Sequence, residues 1–405
     1  AFADDARFAA GLPTVHYTDL CGRRITAVGG VTVPAFGAVT LQMQAEETPF
    51  ASPFTYDEAT GRVETPFAVV TLDENGYIAS FVDKASGREL RRPGGRPLGV
   101  FLTAEDCPEK WDNWNIDADT MERLVPVYGL LSCEVVCNGP VELRIRSAYR
   151  VEGETTVTQD MVFYASSPRV DFHTLVDWHS KHRLLKADFD LNLRARFAKC
   201  EIQYGHVTRP THHSTPYDTA KFEVCNHKWT DISESNFGVA LLNDCKYGVS
   251  FGECDLALSL HRGGTQPDGT GDRGLHEMTY SLLPHVGAFT AENTVLPAYE
   301  LNVPAQVLPG AASRPSFVAV DVPNIIVEAV KPAEKDASGN IPGYVLRLYE
   351  CEGGATKAAL TLSRPGSAVW ETNMLEEKRN KLADGEKEIT LSFRPFEIKT
   401  ILVQD

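Results

Sequence analysis

The segment 261–285 has the residue types of a polar ligand site. Its glycine-rich first half and the strand entry that follows carry Asp268, Asp272, Arg273 and His276. Asp and Arg side chains can each hold neighbouring hydroxyl groups with two hydrogen bonds. Ordering so polar a loop costs conformational entropy, and packing gives no reason for its composition. We therefore predict that the loop presents these groups to a polyhydroxylated ligand. The alternative is an ordinary solvated loop.

A second polar segment contains two tryptophans. Trp111 and Trp114 lie within the run Trp-Asp-Asn-Trp-Asn-Ile-Asp at 111–117, interleaved with carboxylates and amides. Indole faces stack on the C–H surfaces of sugars, while amides and carboxylates bind the hydroxyl groups. This composition predicts a sugar site. The alternative is that both indoles are core anchors at a strand crossing.

Histidines form the densest group of candidate metal ligands, because seven of the eleven lie between residues 173 and 227. Adjacent His212 and His213 would point to opposite faces of a strand. His179 and His182 suit one metal ion only on a helix, and their surroundings predict strand and turn. We therefore predict no metal site in this chain. We interpret these histidines as residues on the solvent-facing side of a sheet or at an interface.

The usual catalytic motifs are missing. The sequence contains no G-x-S-x-G, Walker A, G-x-G-x-x-G or H-E-x-x-H pattern. The nine cysteines include no Cys-x-x-Cys pair, so neither a disulfide scaffold nor a cysteine-type zinc site is indicated. Scattered reduced thiols favour a cytoplasmic protein.

The elements that must position the polar segments are β-strands. Apolar residues recur with period two through Val170–Trp178, and every odd position from Leu185 to Phe197 is apolar. One short helix is predicted at Asn373–Leu382. Strands joined by turn residues, without intervening helices, predict an all-β fold of antiparallel sandwiches. Further strands are predicted at Phe67–Leu72, Tyr77–Val82, 141–146, Val157–Tyr164, Val239–Leu242, Met278–Leu283, Val345–Tyr349 and Ile389–Phe393.

Two segments interrupt the strand pattern. Residues 46–53 are polar and contain proline, and residues 304–315 are low in charge and rich in Pro, Ala and Gly, which is typical of a linker. They predict a small N-terminal β unit at 1–52, a large β domain at 53–308 and a C-terminal β-sandwich at 309–405.

Composition excludes several classes of protein. With 405 residues, 43% hydrophobic and 23% charged, the chain has an ordinary globular composition. The 39 basic and 55 acidic residues leave a net charge of −16, which argues against nucleic acid or an anionic membrane as a partner. No apolar run reaches the ~20 residues of a membrane span.

The sequence resembles the C-terminal β-rich half of the α-mannosidases of glycoside hydrolase family 38, in particular the cytosolic type. The resemblance covers nearly the whole chain from about residue 12, in order. The stretches that carry it are LDENGYIASFVDKASGREL at 72–90, WDNWNID at 111–117, VDFHTLVDWHSKHRLLKADF at 170–189, the segment 201–250, the segment 258–287 and LRLYE at 346–350.

This resemblance implies a retaining glycosidase that removes terminal α-mannose from oligosaccharides with two carboxylates, one of which belongs to a zinc site. In the family these groups lie in an N-terminal catalytic domain. We therefore expect this chain to be the C-terminal part of a longer enzyme, to pack on that domain, and to hold no nucleophile, acid/base or zinc ligand of its own.

The resemblance also implies a fold and a site. The fold is a large antiparallel β supersandwich, galactose mutarotase-like, flanked by smaller β-sandwich domains. The loop 268–277 is expected to complete the rim of the mannose pocket, with Arg273 facing the sugar. Gly269 and Gly271 stand where the family often has Pro or Ala, which predicts a more flexible loop.

Two other functions stay open at this point. One is a stand-alone sugar-binding module. The other is a mutarotase-type isomerase, which would need one His facing one Glu across a concave sheet. His173, His179 or His206 with Glu201 or Glu223 would qualify, but the spacing selects no pair. A homo-oligomer is expected if the surface that meets the catalytic domain is apolar.

Overall fold

The computed structural model describes residues 2–3, 7–252, 255–335 and 338–404. About 49% of the chain is strand and 5% is helix, which confirms the all-β prediction. The strands, numbered in chain order, are β1 (Phe2–Ala3), β2 (Phe8–Ala9), β3 (Thr14–Thr18), β4 (Arg24–Val28), β5 (Met43–Gln44), β6 (Thr55–Asp57), β7 (Arg62–Glu64), β8 (Ala68–Leu72), β9 (Ile78–Asp83), β10 (Val100–Glu105), β11 (Val125–Pro126), β12 (Leu130–Asn138), β13 (Glu142–Glu152), β14 (Thr155–Tyr164), β15 (Val170–Trp178), β16 (Arg183–Asp190), β17 (Phe197–Ile202), β18 (Gly205–Pro210), β19 (Val224–Cys225), β20 (Trp229–Ser233), β21 (Phe237–Asn243), β22 (Gly248–Phe251), β23 (Asp255–Arg262), β24 (Gly274–Val286), β25 (Val318–Val320), β26 (Ile325–Pro332), β27 (Gly343–Glu350), β28 (Thr356–Leu362), β29 (Ala368–Thr372), β30 (Lys378–Ala383), β31 (Glu388–Phe393) and β32 (Ile398–Gln404).

Helices are short and few in the described ranges. They are α1 (Asp119–Glu122), α2 (Pro216–Thr219) and α3 (Leu296–Asn302), with a π-helical turn at Ala291–Val295 directly before α3. None of these helices is long and apolar enough to cross a membrane.

Two antiparallel sheets form the large sandwich. One has six strands in the order β11-β10-β16-β23-β22-β19, and the other has nine in the order β12-β13-β14-β15-β24-β21-β20-β17-β18. Phe172 of β15 meets Phe189 of β16 edge-on, with 5.7 Å between ring centroids, and stacks on Tyr280 of β24 at 5.1 Å. All three side chains are fully buried. The apolar faces predicted from the period-two pattern therefore form one core between the two sheets.

The strand predicted at Leu185–Phe197 is wrong in its second half. β16 ends at Asp190, and the next strand begins at Phe197. Beyond β16 the backbone pairs with an irregular segment, where Asn192 donates its N–H to the carbonyl of Leu90 at 2.6 Å. The apolar alternation continues because Leu191 and Leu193 stay buried in the core after the chain has left the sheet, whereas Phe197 is 52% exposed.

The helix predicted at Asn373–Leu382 is wrong. The segment is a turn followed by β30. The Asn373 Oδ1 atom accepts hydrogen bonds from the backbone N–H groups of Leu375 and Glu377, at 3.0 and 2.9 Å. Such a side-chain-to-backbone turn competes with the first turn of a helix.

The smaller sheets flank the large sandwich. β1, β3 and β4 form a sheet against the nine-stranded one, with the Tyr17 ring 4.1 Å from the Arg144 guanidinium. The sheets β25-β28-β31 and β26-β27-β32-β29-β30 share a C-terminal core. A third apolar cluster joins this unit to the large sandwich through Trp229, Phe289 and Tyr349. The boundaries at 52 and 308 stay predictions.

Three connections leave the same end of the large sandwich. They run from β10 to α1, from β15 to β16 and from β23 to β24. Glu105 at the end of β10 pairs with Arg183 at the start of β16, and Trp178 at the end of β15 pairs with Gly274 at the start of β24. The strand register therefore brings the two predicted polar segments to one place.

Candidate functional site

We call residues 106–118, 179–182 and 263–273 the loop cluster. The first and third segments hydrogen-bond to each other directly: the Asn113 side-chain oxygen accepts a bond from the backbone N–H of Asp268 at 3.0 Å. The two polar segments of the sequence are thus one structural unit.

Asp112 is the central anchor of the loop cluster, with only 5% of its surface exposed. Its Oδ1 accepts a hydrogen bond from the backbone N–H of Gln266 at 2.6 Å, and its Oδ2 accepts one from Thr265 N–H at 2.8 Å. The His182 Nδ1 atom lies 3.1 Å from the same Oδ2. Burial alone would raise the pKa of the Asp112 carboxyl, but these backbone hydrogen bonds hold that pKa below its usual value.

Gly271 packs directly on the backbone of the loop. A Cβ atom at this position would collide with the carbonyl oxygen of Gly264. Gly269, in contrast, has open space around the same point. At Gly271 the absence of a side chain permits close packing, and the prediction that the two glycines make the loop more flexible stays a prediction.

Two histidines hold the end of the same loop. The carbonyl oxygen of Asp272 accepts hydrogen bonds from Nε2–H of His261 at 2.8 Å and of His276 at 2.7 Å. Asp272 itself adopts a positive φ of 48°, which Asp tolerates better than most residues. Burial, with the neighbouring His276 ring as a second cause, lowers the pKa of His261 to about 3. His261 therefore acts as a neutral donor.

A buried ion pair closes the other side of the loop cluster. Arg262 Nε donates to Asp106 Oδ2 at 2.7 Å, and its Nη2 donates to the carbonyl of Asn115 at 2.6 Å. Burial raises the pKa of Asp106 although Arg262 lowers it. The pair fixes the segment that carries the tryptophans.

The groups that face solvent are of the kind that binds sugars. The Trp111 and Trp114 rings stack on each other at 5.9 Å and are 50% and 65% exposed. Arg273 is exposed, and within the described residues its guanidinium forms no hydrogen bond or ion pair; the same holds for the Asp272 carboxylate. The loop cluster thus combines a fixed backbone with unoccupied polar and aromatic groups.

Comparison with known families identifies the chain. The profile described as "Glycosyl hydrolases family 38 C-terminal domain" matches residues 63–270, which is just over half of the chain, and the profile of the family's "C-terminal beta sandwich domain" matches residues 324–401. The chain belongs to glycosyl hydrolase family 38.

Family 38 relatives match most of the chain. It is 36% identical over 389 residues to "Alpha-mannosidase 2C1" of Homo sapiens, covering 92% of this chain and 37% of that protein. It is 35% identical over 352 residues to "Alpha-mannosidase G" of Dictyostelium discoideum, covering 84% of this chain and 32% of that protein. The chain therefore spans about a third of the length of these curated relatives.

A solved α-mannosidase structure supports the fold. An α-mannosidase from Enterococcus faecalis V583 superposes with a TM-score of 0.74 at 17% identity, covering 99% of this chain and 51% of that chain. At this identity the likeness shows that the two share a fold.

The structure places all six predicted site residues in or beside the loop cluster. Trp111 and Trp114 are exposed, so the alternative of core anchors is wrong. Asp268 caps a local turn, since its Oδ1 accepts bonds from the N–H and hydroxyl of Thr270. His276 is committed to the Asp272 carbonyl. Arg273 is therefore the predicted polar residue best placed to bind a ligand, and sugar binding by these residues stays a prediction.

Sequence reasoning missed the residues that fix the site. Asp112 and His182 carry no short-range signal, because they contact each other and residues 265–266 from distant positions in the sequence. His261 lies only 11 residues from Asp272, but no motif predicts that it binds this carbonyl. The repeated Asp and Asn residues of 111–117 pointed to polar chemistry, but not to a buried carboxylate that organises two loops.

The described residues do not fit a zinc ion. They contain no group of three or more His, Cys, Asp or Glu side chains that could hold a metal. His212 lies 3.7 Å from Asp218, whereas His213 Nε2–H donates to the carbonyl of Phe251 at 3.2 Å. That the chain itself binds no zinc stays a prediction, which metal analysis of the purified chain would test.

The geometry does not favour an isomerase site. Glu201 forms an ion pair with Lys228 at 2.9 Å, and Glu223 forms one with Lys186 at 2.6 Å. In the part of the chain that the structure describes, neither carboxylate is hydrogen-bonded to one of the three candidate histidines.

Proposed function

We propose that this chain is the C-terminal β-rich part of an α-mannosidase that hydrolyses terminal α-mannose from oligosaccharides. Membership of family 38 and the names of the relatives support this proposal. Hydrolysis proceeds with retention through two carboxylates, which the proposal places together with zinc in an N-terminal catalytic domain of the same polypeptide. This chain supplies no nucleophile, acid/base or zinc ligand.

Within that enzyme, the loop cluster completes the rim of the mannose pocket. The observation that carries this role is the exposed, unpartnered Arg273 guanidinium on a loop fixed by Asp112. A planar guanidinium without an ion-pair partner can bind two neighbouring hydroxyl groups without first breaking an ion pair. The stacked indoles of Trp111 and Trp114 offer an apolar surface for the next sugar of the oligosaccharide, beyond the mannose that is cleaved.

The rim role is tested by Arg273→Ala in the full-length enzyme. A hydrogen bond from a charged group contributes about 1.5–3 kcal/mol, so kcat/KM for an aryl α-mannoside should fall roughly 10- to 100-fold. Lys357→Ala on β28, which is exposed and far from any predicted site residue in sequence, is the control and should change little. Wild-type kinetics in Arg273→Ala, with zinc content unchanged, would remove the loop from the site.

Partners and location follow from the same proposal. The partners are a mannose-containing oligosaccharide and the catalytic domain. The eight cysteines in the described ranges are free thiols, which supports a cytoplasmic location. Cell fractionation tests the location, and sedimentation of the full-length protein tests the predicted homo-oligomer.

A further inference from the structure

A cavity of about 470 Å³ lies where the nine-stranded sheet meets α3 and the five-stranded C-terminal sheet. Its walls contain four tyrosines, three carboxylates, three side-chain amides, one lysine and one histidine. Its volume is within the range of about 300–1,000 Å³ that is usual for small-molecule sites. It shares no residue with the loop cluster.

The position in this cavity that would bind a cation is occupied by the ammonium group of Lys228. Lys228 Nζ lies 2.9 Å from Glu201 Oε1 and 4.7 Å from the centroid of the Tyr299 ring. Carboxylate and aromatic face together form a cage for a positive charge, and the chain's own ammonium occupies it. Three carboxylates against one ammonium leave the walls negative, which disfavours an anionic ligand.

The inner wall is held by hydrogen bonds between its own residues. The Tyr299 hydroxyl donates to the Glu328 carboxylate and lies 3.0 Å from the Tyr349 hydroxyl. The Tyr204 ring meets Tyr349 edge-on at 5.5 Å. This wall is therefore arranged before any ligand arrives, which lowers the entropy cost of binding.

The groups that form no ion pair include neutral donors and acceptors next to aromatic rings, together with the exposed Asp244 carboxylate, whose Oδ2 accepts a hydrogen bond from the backbone N–H of Thr279 at 3.0 Å. Gln203 has an exposed amide, and Tyr247 has a 57% exposed ring and a hydroxyl; within the described chain neither side chain has a hydrogen-bond partner. The Tyr247 ring is held edge-on against His227 at 5.3 Å. Asn302 donates its amide N–H to the carbonyl of Asn243, which leaves its Oδ1 as an acceptor.

We propose that this cavity is a second carbohydrate site that binds a neutral mono- or disaccharide. Gln203 and Asn302 bind ring hydroxyl groups, and the Tyr247 ring packs on a C–H face of the sugar. The inference stands independently of the proposed function, because it uses no residue of the loop cluster.

Hydrogen–deuterium exchange of the full-length protein tests this site locally. The probes are methyl α-mannoside, choline chloride and inorganic phosphate. Methyl α-mannoside should slow exchange in peptides covering 201–205 and 243–248. The double variant Gln203→Ala/Tyr247→Ala should raise the half-saturating concentration of that protection roughly ten-fold. Tyr217→Ala, which removes an 81% exposed ring outside the cavity, should leave it unchanged.

Three results would overturn the second site. Sugar protection confined to 106–118 and 263–273 would support the loop cluster alone. Protection of the cavity peptides by choline or phosphate, but not by the sugar, would assign the cavity to a different ligand class. Protection that survives the double variant would place the bound sugar elsewhere.

Discussion

The Asp112 carboxylate accepts a 2.6 Å hydrogen bond from the backbone N–H of Gln266, a residue 154 positions further along the chain. This bond, with its neighbour from Thr265, turns two separate polar loops into one surface. A buried carboxylate that accepts hydrogen bonds from backbone N–H groups fixes the two loops relative to each other. If the loops moved apart, the carboxylate and the N–H groups would be left unpaired, at a cost in folding free energy. The arrangement of the exposed Trp and Arg side chains depends on it.

Replacing Asp112 with Asn should destabilise the protein. The Asn side chain offers one acceptor oxygen and presents an N–H₂ group to the remaining donor, so one buried hydrogen bond is lost, at a cost of about 1–3 kcal/mol. Urea unfolding followed by circular dichroism measures the change. Asp117→Asn, at an exposed position in the same segment, is the matched control; equal stability of the two variants would contradict the anchoring role.

His261 should make stability depend on pH. Its pKa is near 6.5 when unfolded and about 3 in the folded protein. The unfolded chain therefore binds one more proton between these values, and stability present above pH 6.5 is lost as the pH falls towards 3. The slope contributed is at most roughly 1.4 kcal/mol per pH unit.

His261→Gln keeps an N–H donor for the Asp272 carbonyl but does not titrate. We expect its urea midpoint to fall less steeply on acidification than that of the parent protein. Met374→Gln, at a 52% exposed residue that does not titrate, is the control and should keep the parent slope. An unchanged slope in His261→Gln would show that this imidazole is not the group responsible.

The fold was predictable to the extent that burial alternates along a strand. β15 was predicted with its observed ends, and its Val170, Phe172, Val176 and Trp178 side chains are buried as expected. The same signal failed after Asp190, because Leu191 and Leu193 stay in the core after the chain has left the hydrogen-bonded ladder. A period-two pattern of apolar residues indicates which side chains are buried. Whether the segment is a strand depends on whether its backbone hydrogen-bonds to a neighbouring strand.

The candidate site was predictable in composition but not in architecture. Clusters of Asp, Arg and His beside two Trp residues singled out both loops, since so many charged groups in a row are unusual in a core. Their contact depends on strand register across the large sandwich, which no local pattern contains. The close packing at Gly271 could not be predicted for the same reason, because the fold of the loop brings the Gly264 carbonyl next to it.

Trp114 should matter more for an oligosaccharide than for a small synthetic substrate. Its ring is exposed beside Trp111, and under the proposed rim role it would contact a sugar beyond the cleaved residue. Loss of one aromatic contact costs about 0.5–1.5 kcal/mol, so Trp114→Ala should raise KM for an oligosaccharide roughly 2- to 10-fold. Hydrolysis of an aryl α-mannoside serves as the internal comparison, and an equal change in both substrates would argue against a role in binding the second sugar.

Arg273 and Asp272 are neighbours in sequence whose side chains form no ion pair. A test of their coupling therefore distinguishes a role of Arg273 in ligand binding from a role in stiffening the loop. If Arg273 acts on the sugar, its effect on kcat/KM should be nearly the same whether or not the Asp272 carboxylate is present. Asp272→Asn is the suitable partner variant, because Asn also tolerates the positive φ at this position and keeps the carbonyl that His261 and His276 bind. In a double-mutant cycle with Arg273→Ala in the full-length enzyme, we expect a coupling energy below about 0.5 kcal/mol. If the effect of Arg273→Ala instead disappears in the Asp272→Asn background, the two side chains act as a pair, and Arg273 serves to hold the loop.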